Sequence, residues 1–458
     1  MSKKIVVIGA GVSGQGLAFL ASEMGYEVFV SDKKVIPDEV KKSFSEKNIA
    51  FEESHSEKVF ENTEAILLSS GLPLNLPVIL EAEKRNIKMI GELDFVLPNI
   101  KSEKLICVTG SNGKSTVTAL TGHILNRAGY KAGTGGNLGT ASATFTKEFF
   151  DYIVLELSSF QLERATKILN SNVSIITNLA PDHIDWHGSY ENYVAAKAKI
   201  LSLRGNENWG IIQDRDVEML NPSGKIITLS WNEKPVNKFS GHIFMDKNCA
   251  WLIKDEEKIK IFNYDDTTLI GSHNFENVAM SLCAYILVSG NKNFNVKNLL
   301  EGFKPLPHRC EKAGELNGVI YIDDSKGTNV AASVTAMESI NLPKIVILGG
   351  QGKGEDYTPL AEAVKRECES AILLGTEAEK IESALLKAGF KNIFRISESD
   401  SKAMETAVNK AYEIAKPGMC VLLSPACTSW DMYTSYKKRG EHFCRLVQEK
   451  ISECNLEK

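Results

Sequence analysis

The nine cysteines of this 458-residue chain are scattered, without a CxxC pair and without the spacing of a metal finger. That excludes a zinc-finger module, and in a protein of this size such thiols are expected to stay reduced in a cytosol. Also lacking is any segment near the roughly 18 consecutive apolar residues that a membrane span requires. The opening MSKKIVVIGAG passes from two lysines straight into a strand and a glycine turn. It has neither the apolar stretch nor the cleavage site of a secretory signal. The chain is therefore expected to be soluble, cytoplasmic and free of membrane spans. A basic excess is missing too: 53 Lys and Arg stand against 58 Asp and Glu, a formal net charge of −5. This argues against a nucleic-acid partner, which normally meets a positive field. No internal repeat and no low-complexity tract interrupts the sequence. What remains is an ordinary globular composition, 43% hydrophobic and 24% charged. The chain is too long for a single core, so two or three domains are expected.

An apolar run that enters a glycine turn recurs three times: in KIVVIGAGVSGQG from Lys4, in LICVTGSNGKSTVTAL at 105–120, and in KIVILGGQGKG from Lys344. Further apolar runs at 65–68, 152–155, 173–176, 319–322, 371–374 and 419–423 alternate with helical patterns. Such alternation predicts an α/β protein of parallel, doubly wound sheets. Breaks near 91–98 and at 302–307, where GFKPLP carries two prolines, mark domain boundaries. From Asn206 to Asn263 the chain is more polar and rich in turn signals, and short antiparallel strands attached to a central sheet are expected there.

The middle run holds the most specific chemistry. Leu105, Ile106, Cys107 and Val108 read as a buried parallel strand. Gly110, Ser111, Asn112 and Gly113 form the turn before a helix opened by Lys114, Ser115 and Thr116. A strand–loop–helix of this kind aims backbone N–H groups and the positive helix end at an anion. Lys114 would reach the terminal phosphates of ATP, and the Ser115 hydroxyl would hold Mg²⁺. Val108 sits where the general GxxxxGK[ST] rule has its first glycine, so the match is to a narrower form of the loop.

Gly9, Gly11 and Gly14 form GxGxxG after a strand, and Asp32 closes the next strand in EVFVSD. This is a dinucleotide fingerprint with Asp32 on a ribose hydroxyl, yet the same crevice suits any nucleotide diphosphate as well as NAD. Lys33 and Lys34 face either a phosphate or solvent. Glu156 ends the run YIVLE at the C-terminal edge of a strand, where it is either a Mg²⁺ ligand or an acidic cap on the following helix. APDHIDWH brings Asp182, His183, Asp185 and His187 within six positions, and His183, with Asp182 as its neighbour, is the candidate for a metal or phosphate role. In SYENYVAAKAKIL, Ser189 can cap a helix whose apolar face gathers Tyr190, Tyr193, Val194, Ile200 and Leu201 around Lys197, while Lys199 points away. A lysine desolvated in such a stripe has a lowered pKa and an available neutral amine; the alternative is a side chain that snorkels to the surface. Toward the C-terminus, polar groups collect at strand ends: His308 and Arg309 in LPHRCE, Asp324, Lys326 and Thr328 in DDSKGTN, Lys353 in GGQGKG, and the segment LLSPACTSWDMYTSYKKRG. That collection reads as a substrate pocket in preference to ordinary loops.

Together with GNLG at 136–139, ELSSFQL, NLAPDHIDWH, YVAAK and HNFENVAM, these motifs make the chain resemble the Mur ligases over nearly its whole length. TGSNGKST is the loop form of that family and of folylpolyglutamate synthetases, from which ELSSFQL and the GxGxxG segment separate this chain. The DNPR-type motif of the members adding a diamino acid is absent, and ELSSFQL with SPACTSWD favours the member adding D-glutamate. The resemblance implies three domains: a Rossmann-like, UDP-sugar-binding domain over 1–94, a central ATP-binding P-loop domain over 95–305, and a C-terminal Rossmann-like domain over 306–458 for the incoming amino acid. It implies ATP-dependent ligation of D-glutamate to UDP-N-acetylmuramoyl-L-alanine through an acyl phosphate, a cytoplasmic step of peptidoglycan precursor synthesis, by a monomer with small-molecule partners. Val12, Ser13, Asp32, Lys33 and Gly71 would meet the UDP, and Asn137 the middle of that substrate. Gly110, Ser111, Asn112, Gly113, Lys114, Ser115 and Thr116 would grip ATP and magnesium. Glu156 would ligate one of two Mg²⁺ ions and His183 the second. Lys197 matches a lysine that such enzymes carry as a carbamate, formed from the neutral amine and CO₂. Arg309 and Asp324 would meet ATP, with Asn277 near its ribose and Lys326 near the transferred phosphate. Thr328, Lys353, Ser429 and Tyr436 would surround D-glutamate. Gly327 stands where alanine is common, Trp430 and Tyr436 replace other apolar residues, and lysine fills both positions after Asp32.

Overall fold

The computed structural model describes residues 3–456 apart from 74, 206, 238, 268, 270, 305, 399 and 401. Pro305, where the expected central domain ends, and Asn206, where the expected turn-rich segment begins, lie outside the described residues. The architecture is α/β, with three sheets dominated by parallel pairing.

The first sheet contains β1 (Lys4–Ile8), β2 (Glu27–Ser31), β3 (Ala50–Glu52), β4 (Thr63–Leu68) and β5 (Lys88–Gly91), in the order β3-β2-β1-β4-β5. All its pairings are parallel. Its central strands are covered on both faces, Val7 and Val30 by one apolar cluster and Val6 and Ile66 by another, which is why they read as unbroken apolar runs. The order reverses between β1 and β4, and such a switch point opens a ligand crevice at the carboxyl ends of the strands.

The second sheet holds β6 (Ser102–Thr109), β7 (Ala132–Gly136), β8 (Phe150–Glu156), β9 (Val173–Ile176), β10 (Trp209–Gln213), β11 (Lys225–Ser230), β12 (Gly241–Met245), β13 (Cys249–Lys254) and β14 (Glu257–Asn263). Their order is β14-β13-β12-β11-β10-β9-β6-β8-β7. The antiparallel strands expected over 206–263 reduce to β13 and β14, because β10, β11 and β12 continue the parallel sheet. The physical reason lies in burial: Ile211, Ile212, Ile226 and Ile227 are wholly enclosed, and only a strand covered on both faces needs consecutive apolar residues.

In the third sheet β15 (Glu311–Leu316) and β16 (Val319–Asp323) form a hairpin joined by Asn317 and Gly318, both at positive φ, the geometry that matches strand twist in two-residue turns. With β17 (Lys344–Gly349), β18 (Ser370–Leu374), β19 (Ile393–Arg395) and β20 (Cys420–Leu423) the order is β15-β16-β20-β17-β18-β19, parallel beyond the hairpin.

By contact the chain forms two compact units. The first comprises 1–179, 191–267 and 276–303 and holds two sheets; the second comprises 180–190, 268–275 and 304–458 and holds the third.

Candidate active site

In the first unit, β6 runs out at Thr109 and, after the four loop residues 110–113, the helix Lys114–Arg127 starts from the cap residue Gly113. The two glycines between them are required by geometry. Gly110 has φ 141° and a Cβ there would lie 2.0 Å from Thr177 Oγ1. Gly113 has φ 81° and a Cβ would lie 2.5 Å from Asn277 Oδ1. The position of the usual first glycine, Val108, is buried inside β6, so this loop is short by construction. Neighbours hold it in shape. The Ser111 and Asn112 amides donate to Asn178 O and Oδ1, each at 2.9 Å. The Thr177 hydroxyl donates to Asn112 O. Ser111 Oγ lies 2.9 Å from the Tyr193 hydroxyl. Lys114 Nζ folds back to Ser111 O at 2.7 Å, and Ser115 and Thr116 are buried at the helix start.

Lys197 is 2% exposed, donates to Gly110 O at 2.8 Å and stands 4.6 Å from the centre of the Tyr193 ring. The side chain therefore does not snorkel; burial on the helix Tyr190–Ser202 aims it at the loop. Glu156 ends β8 in register with Val108 of β6, one strand from the loop, and is 2% exposed. It does not cap the next helix, since Ser158 and Gln161 form the capping box of Ser159–Arg164. Instead its Oε1 accepts from Asn137 Nδ2 at 2.8 Å, and the Asn137 amide donates to Glu156 O at 2.8 Å. Asn137 thus braces the carboxylate. Asn178 and Tyr193 open the motifs NLAPDHIDWH and YVAAK but drew no role of their own from the sequence, and Thr177 precedes the first of these; the one positional signal was Tyr193, four residues before Lys197 on the same apolar face.

At the ligand edge of the first sheet, a Cβ on Gly14 would lie 1.8 Å from Gly9 O, so the third glycine permits the helix Val12–Glu23 to touch β1. Gly9 and Gly71 have φ of 94° and 79°, and Val12 is 66% exposed. Asp32 accepts the Ala10 amide at 2.7 Å and the Lys34 amide at 2.8 Å, while the Lys33 and Lys34 side chains lie exposed. The Ser13 hydroxyl donates to Glu92 Oε2 at 2.5 Å.

In the second unit, Asp182 and Lys353 form a buried ion pair at 2.5 Å, with Asn329 Nδ2 at 3.2 Å from the other carboxylate oxygen. His183 follows at φ 52° with Nε2 3.7 Å from Asp182 Oδ2. Nearby, burial pushes the Glu355 carboxyl up to about 7, opposed by the Val330 amide and Lys353. Asp324 follows β16 and accepts from Ser424 Oγ at 2.7 Å; burial, partly offset by that bond and by Arg309, raises it to about 7. Lys326 Nζ stands 5.3 Å from the Tyr436 ring centre, and Ser325 Oγ donates to Tyr436 O at 2.8 Å. Thr328 follows in the same turn, its amide donating to Lys326 O at 2.9 Å. Ser429 Oγ is buried without a hydrogen-bond partner. Arg439, not singled out in the sequence, and His308, named there only as one of several polar groups, organise these loops. Arg439 is fully buried and donates to Ser325 O, Ser325 Oγ, Cys427 O and Thr428 O, and burial lowers it to about 10. His308 Nδ1 lies 2.7 Å from Asp323 Oδ2, a bond that raises the imidazole pKa and ties the segment of Arg309 to that of Asp324.

A phosphate-type loop, a braced buried carboxylate and a buried lysine on one sheet edge define a nucleotide-dependent enzyme class, and comparison gives it a family. The chain matches the Mur ligase middle domain over 108–285, the Mur ligase glutamate ligase domain over 308–427 and the MurD N-terminal domain over 4–75. It belongs to the Mur ligase family, ATP-dependent enzymes that form C–N bonds. A similar protein is the UDP-N-acetylmuramoylalanine--D-glutamate ligase of Bacteroides thetaiotaomicron, 34% identical over 98% of this chain and 100% of the relative. The fold is shared with the pseudomurein peptide ligase type C of Methanothermus fervidus, with 18% identity, TM-score 0.61 and coverage of 98% and 100%. It is shared also with the MurF ligase of Thermotoga maritima in complex with ADP, with 15% identity, TM-score 0.58 and coverage of 93% and 95%.

Proposed function

We propose that this protein joins D-glutamate to UDP-N-acetylmuramoyl-L-alanine with cleavage of ATP to ADP and phosphate, a cytoplasmic step of peptidoglycan precursor synthesis. The observation that carries the reading is the short loop at 110–113, braced by Asn178, Tyr193 and Lys197 beside the buried Glu156. The choice of D-glutamate rests on the activity named for the full-length relatives, and the use of ATP is supported by the ADP held by a relative of the same fold.

The working assignment is a UDP-sugar domain over 1–94, an ATP domain over 95–305 and an amino-acid domain over 306–458. Val12, Ser13, Asp32, Lys33 and Gly71 serve the UDP group. Lys114 releases Ser111 O and turns to the terminal phosphates. Asn277, Arg309 and Asp324 serve the nucleoside of ATP, Lys326 the moving phosphate, and Thr328, Lys353, Ser429 and Tyr436 the D-glutamate. The donors of the first unit fit a hard divalent cation: a hydroxyl at a helix start and a buried carboxylate oriented by Asn137. In the first unit, Ser115, Glu156 and a carbamate on Lys197 would hold Mg²⁺, and in the second His183 is the residue assigned to the other ion; the metal would supply charge neutralisation for phosphoryl transfer. The terminal L-alanine carboxylate attacks the γ-phosphorus and ADP leaves; the D-glutamate amine then attacks the acyl carbon, and phosphate departs from the tetrahedral adduct. Holding the reactants in line contributes several kcal/mol, up to about 7–11 in ideal cases.

The test is phosphate release from ATP with UDP-N-acetylmuramoyl-L-alanine and a panel of D- and L-amino acids. Release with D-glutamate alone is expected. Release with L-lysine or meso-diaminopimelate instead would move the chain to another member of the family, and no release with any amino acid would overturn the reading.

A further inference from the structure

Glu92 opens the short helix Glu92–Val96 directly after β5 and is 6% exposed. Its Oε2 accepts two hydrogen bonds, from the Ser13 hydroxyl at 2.5 Å and from Gln161 Nε2 at 3.1 Å. Neither donor is a cation. A buried carboxylate held by neutral donors is expensive, and an apolar residue would fill the same space at lower cost. What the carboxylate supplies is direction.

On one side, Ser13 lies in the first turn of the helix Val12–Glu23, directly after the glycine turn that follows β1. With its proton committed to Glu92, the Ser13 oxygen accepts the Ser70 amide at 3.3 Å, so the turn after β1 and the turn after β4, where Gly71 sits, are fixed together. On the other side, Gln161 Oε1 accepts the Ser158 amide at 2.9 Å and Ser158 Oγ caps the Gln161 amide at 3.2 Å. That capping box stands two residues beyond Glu156. The same helix sends Arg164 to Ser69 O at 2.9 Å and to Leu72 O. The segment after Glu156 therefore grips both ligand-edge turns of the first sheet, one through Glu92 and one through Arg164.

We infer that Glu92 is a positioning residue of the sugar-nucleotide subsite, locking the Ser13 and Ser70 turns to the capping box that follows Glu156. The inference rests on the proposed reading of that edge as the UDP-binding one. It goes beyond that reading by assigning a residue that touches no substrate and by joining two subsites through one carboxylate.

Titration of uridine diphosphate and of ADP into wild type, Glu92→Ala, Glu92→Gln, Gln161→Ala and the Glu92→Ala/Gln161→Ala double variant tests it, with KM values measured alongside. Loss of a charge-assisted hydrogen bond of this kind should weaken uridine diphosphate about tenfold in Glu92→Ala. ADP affinity and the KM for D-glutamate should stay within about twofold. Gln161→Ala should give a smaller loss, and the double variant should be no weaker than Glu92→Ala, because both changes cut the same network. Glu92→Gln keeps an acceptor for Ser13 and should recover most of the affinity. Equal weakening of both nucleotides, additive losses in the double variant, or unchanged uridine diphosphate binding in Glu92→Ala would overturn the inference. If Glu92→Ala does not fold, Glu92→Gln and Gln161→Ala carry the comparison. Failure of wild type to form the amide would sink the proposed function, while the uridine diphosphate titration would still decide the role of Glu92.

Discussion

Asp324 carries the clearest electrostatic tension of any site residue. Its carboxyl is fully enclosed, and desolvation outweighs the Ser424 hydroxyl, the Arg309 charge and the Cys310 amide, so its pKa rises from 3.8 to about 7. Between those values the folded chain keeps a proton that the unfolded chain has released, so stability falls as pH climbs from about 4 to about 7. Above that range the cost is on the order of 4 kcal/mol, a penalty a binding residue can carry when a ligand makes use of the charge. Asp324→Asn removes the titration and retains an acceptor for the Cys310 amide. Thermal melts should show little difference from wild type at about pH 4 and a higher melting temperature for the variant at pH 8, while ligation falls. A variant that is less stable at pH 8 would show that Asp324 is held as a favourable anion. His273 responds in the opposite sense: burial and the charge of Arg309 push it down to about 4, so its contribution is lost as pH falls from about 6.5.

The helix Tyr190–Ser202 shows how one element delivers chemistry. Tyr193, Val194, Lys197, Ile200 and Leu201 are all buried, so the stripe that holds the helix against the sheet also drives an amine toward Gly110 O. Lys197→Ala should keep the fold, since the stripe is otherwise apolar. Ligation should drop on the order of 10²–10³-fold, with partial recovery when short carboxylic acids are added in place of the carbamate. Full activity without such additives would exclude the carbamate. That periodicity was legible in the sequence, as were the loop at 110–113 and the strand before it, because short-range patterns and glycine spacing are written locally. Three things were not. The bond of Asn137 to Glu156, a pairing set by the register of β7 on β8, was not foreseen beside the substrate contact expected of Asn137. The parallel course of β10, β11 and β12 was masked by the polar turns between them. Arg439 sits in a helix sequence, YKKRG, that looks solvated, and only tertiary packing encloses it among the carbonyls of two distant loops.

Across the whole molecule, sequence order and compact units diverge in an instructive place. Residues 180–190 follow β9 of the second sheet, yet they belong by contact to the unit of the third sheet, as do 268–275. The pair that makes this costly to undo is Asp182 with Lys353, 6% and 5% exposed. A fragment beginning at residue 304 keeps all six strands of the third sheet but leaves the Lys353 ammonium and Asn329 without their carboxylate. Removing one partner of a buried ion pair typically costs on the order of 3–5 kcal/mol, part of which the fragment recovers by letting water reach Lys353. The 304–458 fragment should therefore unfold at low urea, and a peptide spanning 180–190 should raise its midpoint, whereas the same peptide carrying Asp182→Asn should raise it much less. Equal effects of the two peptides would mean that apolar contacts of the segment, and not the buried carboxylate, hold it in the second unit.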